Sequence, residues 1–215
     1  WTMVRASNGG VGLAMTTNRH GVPMRARELT GMSLRRAAEL VRSWSFIEAG
    51  LGAAAMNAFY NTPERMKKIG ARENPGRFCT DGIPHEGARV CLVGALRHPE
   101  GAFDGAASIV TLEREDLPET YPDSAAEFLL PGCDIAVITG SAMVNKTLPR
   151  LLELSAGAHT VITGPTTPLA APLLRFGAGR LAGLVITDPD GCRAMVCEGY
   201  RSSPYRFGTE YFLDA

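Results

Sequence analysis

The chain has no excess of charge of either sign: Lys and Arg together number 22, Asp and Glu number 22, and the formal net charge is zero. With no basic cluster either, that balance argues against a nucleic acid or a membrane surface as the main partner. Long apolar runs are also missing. No stretch approaches the roughly 20 residues that a membrane span needs, and no secretory leader is visible, so a cytoplasmic protein is expected. The sequence opens at Trp1 inside what reads as a strand, so residues ahead of it are expected to be missing or processed away.

Metal-ligating and nucleophilic patterns are sparse. Cys79, Cys91, Cys133, Cys192 and Cys197 are scattered, form no C-x-x-C pair and read as reduced structural thiols. Cys192 and Cys197 are too widely spaced for a zinc knuckle and read as two faces of a strand or turn. His20, His85, His98 and His159 lack metal spacing, and no nucleophile and base declare themselves as a pair. The run Gly94-Ala-Leu-Arg-His-Pro-Glu-Gly101 is not G-x-G-x-x-G, and Pro99 would obstruct a helix directly after it, so an ordinary NAD pyrophosphate site is not expected.

What the sequence does contain is a tripeptide written three times: Val137-Ile138-Thr139, Val161-Ile162-Thr163 and Val185-Ile186-Thr187. The interval of 24 residues is too long for a hairpin and suits a parallel strand, crossover and strand. With these three, five strands are predicted, at 90–93, 109–112, 135–138, 160–163 and 184–187, with helices at 124–130, 147–155 and 169–176. This alternation predicts an α/β domain with a doubly wound parallel sheet.

Ahead of it, 2–6 and 12–16 flank Ser7-Asn8-Gly9-Gly10 and predict a hairpin. Ser33 reads as the cap of a helix through Val41, and a second helix is predicted over 46–60, rich in small residues that let another backbone approach. Residues 61–86 carry Pro63, Pro75 and Pro84 and read as a connection, with the linker proper at 71–86 between a 1–70 domain and an 87–215 domain.

Ligands of open parallel sheets bind where the strands end. Gly94 ends the first strand, and Glu113 ends the second, where it reads either as an acceptor for ribose hydroxyls or as part of a solvated charged run. The richest loop is Thr139-Gly140-Ser141 through Asn145 and Lys146, polar groups between a buried strand and a helix, though Asn145 or Lys146 could simply cap that helix. Gly164, Thr166 and Thr167 repeat the theme between Pro165 and Pro168. Asp188 after the third repeat reads as a plain turn. Tyr200, Arg201, Tyr205, Arg206, Tyr211 and Phe212 crowd the tail, which either packs on its own domain or forms an interface.

Several strings together resemble one family. They are Trp1-Thr2, Ser43-Trp-Ser-Phe-Ile-Glu48-Ala49 running into Gly52-Ala-Ala-Ala-Met-Asn57-Ala and Asn61, Thr139-Gly140-Ser141 with Asn145-Lys146-Thr147-Leu148, and Gly164-Pro-Thr166-Thr167-Pro-Leu169. They resemble the putative heavy-metal chelation family over nearly the whole chain. The resemblance implies a small α+β domain like the N-terminal domain of enolase, followed by a Rossmann-like domain. It also implies a small-ligand site between them, formed by Glu48, Asn57, Thr139, Ser141, Asn145, Thr166 and Thr167. No cysteine or histidine lies in these motifs, so the metal of the family description would be held by oxygen ligands or by a bound organic chelator.

The sequence thus points to a small-molecule or metal-chelate ligand, anionic or metal-chelating, in a cleft between two domains. The alternative is an enzyme using a nucleotide or S-adenosyl cofactor in the same cleft, with Glu113 on the ribose. A homodimer joined through the small-residue helix and the aromatic tail is a third reading.

Overall fold

The computed structural model describes residues 1–17, 22–74, 76, 78–199 and 203–215. His20, Pro75, Tyr200 and Arg201 lie outside the described residues.

The Ser7-Asn8-Gly9-Gly10 turn joins β1 (Thr2–Arg5) to β2 (Val11–Ala14) as an antiparallel hairpin. Helix α1 (Leu34–Glu39) starts at Ser33, whose hydroxyl accepts the Arg36 N–H, and tightens into a 3-10 turn at Leu40–Arg42. Helix α2 (Phe46–Tyr60) has the predicted bounds. Its small residues answer to close approach on two sides. A Cβ on Gly52 would fall 2.0 Å from the Val41 nitrogen, and a Cβ on Gly12 of β2 would fall 2.0 Å from the Ala54 carbonyl oxygen. The hairpin and α1 of the same chain thus cover the small face of α2.

The 61–86 segment holds more structure than its prolines suggest. Helix α3 (Pro63–Ile69) is capped by Thr62, begins on Pro63 where a missing N–H costs nothing, and ends at Gly70 with φ 69°. Strand β3 (Arg72–Glu73) follows.

The five predicted strands are present as β4 (Arg89–Val93), β5 (Ser108–Glu113), β7 (Ile135–Thr139), β8 (His159–Thr163) and β9 (Arg180–Ile186), with a two-residue β6 (Tyr121–Pro122) after β5. Strands β4 to β9 are parallel, and the tail supplies an antiparallel strand, β10 (Gly208–Asp214), which pairs with β9 and β3. The order across the sheet is β3-β10-β9-β8-β7-β4-β5-β6. The first two Val-Ile-Thr runs lie side by side, Val137 opposite Val161 and Thr139 opposite Thr163. The third does not share their register: Val161 faces Arg180, five residues before Val185. Asp188 therefore projects beyond the first two loops. It is not a plain turn either, because its carboxylate accepts the Gly191 N–H at 2.9 Å and caps α6 (Pro189–Cys197), the helix that carries Cys192 and Cys197.

Helices α4 (Ala126–Leu129) and α5 (Leu148–Leu154) pack on one face of the sheet, against Cys91, Ala136, Ile138, Ile162 and Leu181. The stretch predicted as a helix at 169–176 is a 3-10 turn, Ala171–Phe176, with Pro172 in its first turn. The other face buries Val90, Leu92, Val137, Val161 and Phe212 under Cys79, Ile83 and Phe103, and then Leu184 and Ile186 under the hairpin and α6. Each such side chain contributes about 1.5–3 kcal/mol when fully buried. Cys91 and Cys133 are not reduced thiols: they form a disulfide, which the adjacency of β4 and β7 permits by holding their Cα atoms 6.1 Å apart. Among the described residues no helix is long and apolar enough to cross a membrane.

Candidate functional site

Counted by chain position, β4, β5, β7, β8 and β9 lie in the order second, first, third, fourth, fifth, so the winding reverses between β4 and β7. Connections leave those two strand ends in opposite directions, and the gap between them is where such sheets hold ligands. A cleft of about 760 Å³ opens there. Gly94 to Leu96 after β4, Glu113 to Leu117 after β5, and Thr139, Ser141, Asn145 and Thr147 after β7 line it. Met15 and Thr17, beyond β2, line it from the N-terminal part.

The loop after β7 forms one wall. The Thr139 and Ser141 hydroxyls are 2.9 Å apart, and Thr139 Oγ1 also accepts the Ser141 N–H, which starts a 3-10 turn at Gly140–Met143. Asn145 Oδ1 accepts the Thr147 N–H at 3.1 Å and the Thr147 hydroxyl at 2.7 Å. That pairing fixes which end of the amide is oxygen, and Asn145 Nδ2 then has no protein partner among the described residues. The wall therefore offers hydrogen-bond donors. Lys146 does not join it. Lys146 sits at φ 72° and its ammonium donates to the Val41 carbonyl, where burial lowers its pKa.

Gly94 sits at φ 100°, and a Cβ there would fall 2.9 Å from Thr139 Cγ2, so the turns after β4 and β7 need glycine to lie side by side. Glu113 accepts the N–H groups of Ala95 at 2.6 Å, Arg114 at 2.6 Å and Glu115 at 3.3 Å. Its carboxylate ties the β4 and β5 loops together, which leaves it poorly placed to serve a ribose. Arg114 pairs with Asp123 at 3.2 Å. Asp116, at the same rim, carries a carboxylate without a partner among the described residues. Glu113 was expected here, whereas Asp116 and the Met15–Thr17 wall were not foreseen from the sequence, although Asp116 closely follows a predicted strand.

Six candidate residues do not line the cleft. Glu48 is buried and its carboxylate accepts the Arg25 and Ala26 N–H groups at 2.6 Å each and the Ser43 hydroxyl at 2.5 Å. Those hydrogen bonds, Ser43 first, hold its pKa below the ordinary value. Asn57 donates to the carbonyls of Leu13 and Pro165, and Thr166 Oγ1 accepts the Met15 N–H at 2.9 Å. Gly140 lies against Thr167, since a Cβ there would meet Thr167 Oγ1 at 2.4 Å, and Gly164 turns the chain at φ 105°. Asn57 and Thr166 thus form a joint between the α2–hairpin part and the loop after β8, whereas Glu48 ties the start of α2 to residues 25, 26 and 43.

Among the described residues no three His, Cys, Asp or Glu side chains come together as a metal cage. The described residues therefore offer no such cage to a bare metal ion.

Family models described as putative heavy-metal chelation match residues 1–60 and 84–211. A protein of unknown function from Desulfitobacterium hafniense superposes with a TM-score of 0.84 at 33% identity, over 99% of this chain and 86% of that one. One from Pyrococcus horikoshii gives 0.81 at 23% identity, over 100% of this chain and 88% of that one, and supports the fold. An uncharacterized protein of Methanocaldococcus jannaschii is 28% identical over 94% of this chain and 80% of its own length.

Proposed function

The chain belongs to the putative heavy-metal chelation family, and from that premise we propose that it binds a small ligand in the cleft between β4 and β7, a metal chelate as cargo rather than a bare ion. The observation that carries this reading is the pairing of a cleft of about 760 Å³ with hydrogen-bond donors on its β7 wall and, among the described residues, no cage of His, Cys, Asp or Glu for a metal. Asn145 Nδ2 and the Thr139–Ser141 hydroxyl pair suit carbonyl or carboxylate oxygens on a chelator. Asp116 on the far rim suits a ligand that is neutral or positive on that side. Nothing favours the nucleotide-dependent enzyme: Gly94 opens no phosphate loop and Glu113 is taken by backbone N–H groups.

Native mass spectrometry of the protein as purified tests the reading, with Asn145→Asp as the control. Asp keeps the acceptor for Thr147 and removes the donor from the wall. A copurified adduct containing metal and an organic component, reduced at least about tenfold in the variant, is the expected result. A bare metal bound equally by both proteins would overturn it.

A further inference from the structure

A second recess, of about 410 Å³, opens past the end of β9, and none of its lining residues belongs to the cleft. Phe59 and Pro63 supply exposed apolar wall, and Thr62, Thr187, Glu64 and Arg65 supply polar groups. The guanidinium carbon of Arg65 stands 3.7 Å above the centre of the Phe59 ring. Arg72, Arg89, Arg150 and Arg180 each face a carboxylate, whereas Arg65 has no carboxylate partner among the described residues. A guanidinium stacked on a ring is held in orientation and keeps its N–H donors in its own plane, free for a planar two-oxygen acceptor.

We propose that this recess binds a small carboxylate with an apolar body, the carboxylate on Arg65 and the body against Phe59 and Pro63. Bidentate pairing with a guanidinium requires both oxygens of the ligand. The volume is within the range of small-ligand sites. Glu64 stands on the rim and its charge opposes an anion, so it weakens the site and sets a direction for the test.

The probe is benzoate, with benzamide as its neutral counterpart of like shape, titrated into the full chain and followed by amide chemical shifts. Benzoate should give saturable shifts at residues 8–11, 59–65 and 186–187. Its affinity should fall at least about tenfold in Arg65→Met, rise in Glu64→Gln and stay unchanged in Asn145→Asp, which separates this recess from the cleft. Arg65→Lys keeps the charge without the fork and should fall in between. Benzamide binding as tightly as benzoate would overturn the proposal, as would no saturable shift at the recess. That comparison uses the unaltered protein, so it decides even if Arg65→Met fails to fold.

Discussion

Asn61 Oδ1 accepts the Leu169 backbone N–H at 2.8 Å, joining the end of α2 to the loop after β8. The same amide donates to the carbonyls of Thr167 at 2.9 Å and Leu184 at 3.1 Å. One side chain, 1% exposed, thus serves three main-chain groups, and β8 and β9 are held in place relative to α2 through it.

Asn61→Leu keeps the volume and strands a buried N–H and two carbonyls. The expected cost is about 3 kcal/mol, since each buried group left without a partner costs about 1–3 kcal/mol and the site relaxes partly. Urea unfolding measures it. A stability within about 0.5 kcal/mol of the parent, the range of an ordinary surface substitution, would show that the amide does not hold this joint.

How much of this was legible depends on whether the signal is local. The strands, the hairpin and α2 are visible because β-branched runs, the Asn-Gly turn and the small-residue stretch each act within a few residues. The joint is not visible, because Asn57 and Asn61 find their partners about a hundred residues away, in Pro165, Thr167 and Leu184. Polar side chains in a motif therefore read as ligand contacts when several of them are the bonds that seat one part of the chain on the other. The same limit hid the shifted register of the third Val-Ile-Thr run, which depends on where β9 begins, at Arg180. Gly94, Glu113, Thr139, Ser141 and Asn145 share the cleft because strand ends fix position whatever the partners are.

Glu48 couples the seating of residues 25, 26 and 43 on the start of α2 to pH. Its pKa in the folded protein lies below the ordinary value of 4.5, so protonation favours the unfolded chain. The stabilisation is present in full above the unfolded value and is lost as pH falls through the lower folded one. Glu48→Gln offers one acceptor oxygen in place of two and turns an NH2 toward donors. It should cost about 1–3 kcal/mol at neutral pH and flatten the decline of stability below about pH 4.5. Unfolding curves of both proteins from pH 7 to pH 3 provide the check. Parallel declines would assign the acid sensitivity elsewhere.

The glycines of the α2 packing give a prediction with an internal control. Gly12→Ala places a methyl 2.0 Å from the Ala54 oxygen and 2.1 Å from the Ala58 nitrogen, both backbone atoms that cannot rotate away. A loss of about 3 kcal/mol or more, or failure to fold, is expected. Gly157 has nothing within 4 Å of the same position and an ordinary φ, so Gly157→Ala should be neutral or stabilise by about 0.4–1 kcal/mol. Thermal melts of the two variants side by side distinguish close approach from a general intolerance of alanine.

Arg180 holds down the segment that covers the second face of the sheet. Its guanidinium donates to Asp214 at 2.6 Å and to the carbonyls of Cys79 at 3.2 Å and Asp81 at 2.7 Å, and its carbon lies 4.8 Å from the centre of the Phe212 ring. Arg180→Met keeps the apolar stem but removes the donor to two carbonyls and leaves Asp214 with Arg72 alone, so about 2–4 kcal/mol should be lost. Lysine lacks the planar fork that spans Asp214 and the two carbonyls and should recover only part of it. The thiol of Cys79 provides a local readout, because burial pushes its pKa up to about 12 and leaves it unreactive in the folded chain. In a Cys197→Ser background, which removes the exposed free thiol, Cys79 should react with a disulfide reagent more than about tenfold faster once Arg180 is replaced. An unchanged rate, in a variant that is destabilised as a whole, would mean that the segment is held by Ile83 and Phe103 packing rather than by the guanidinium.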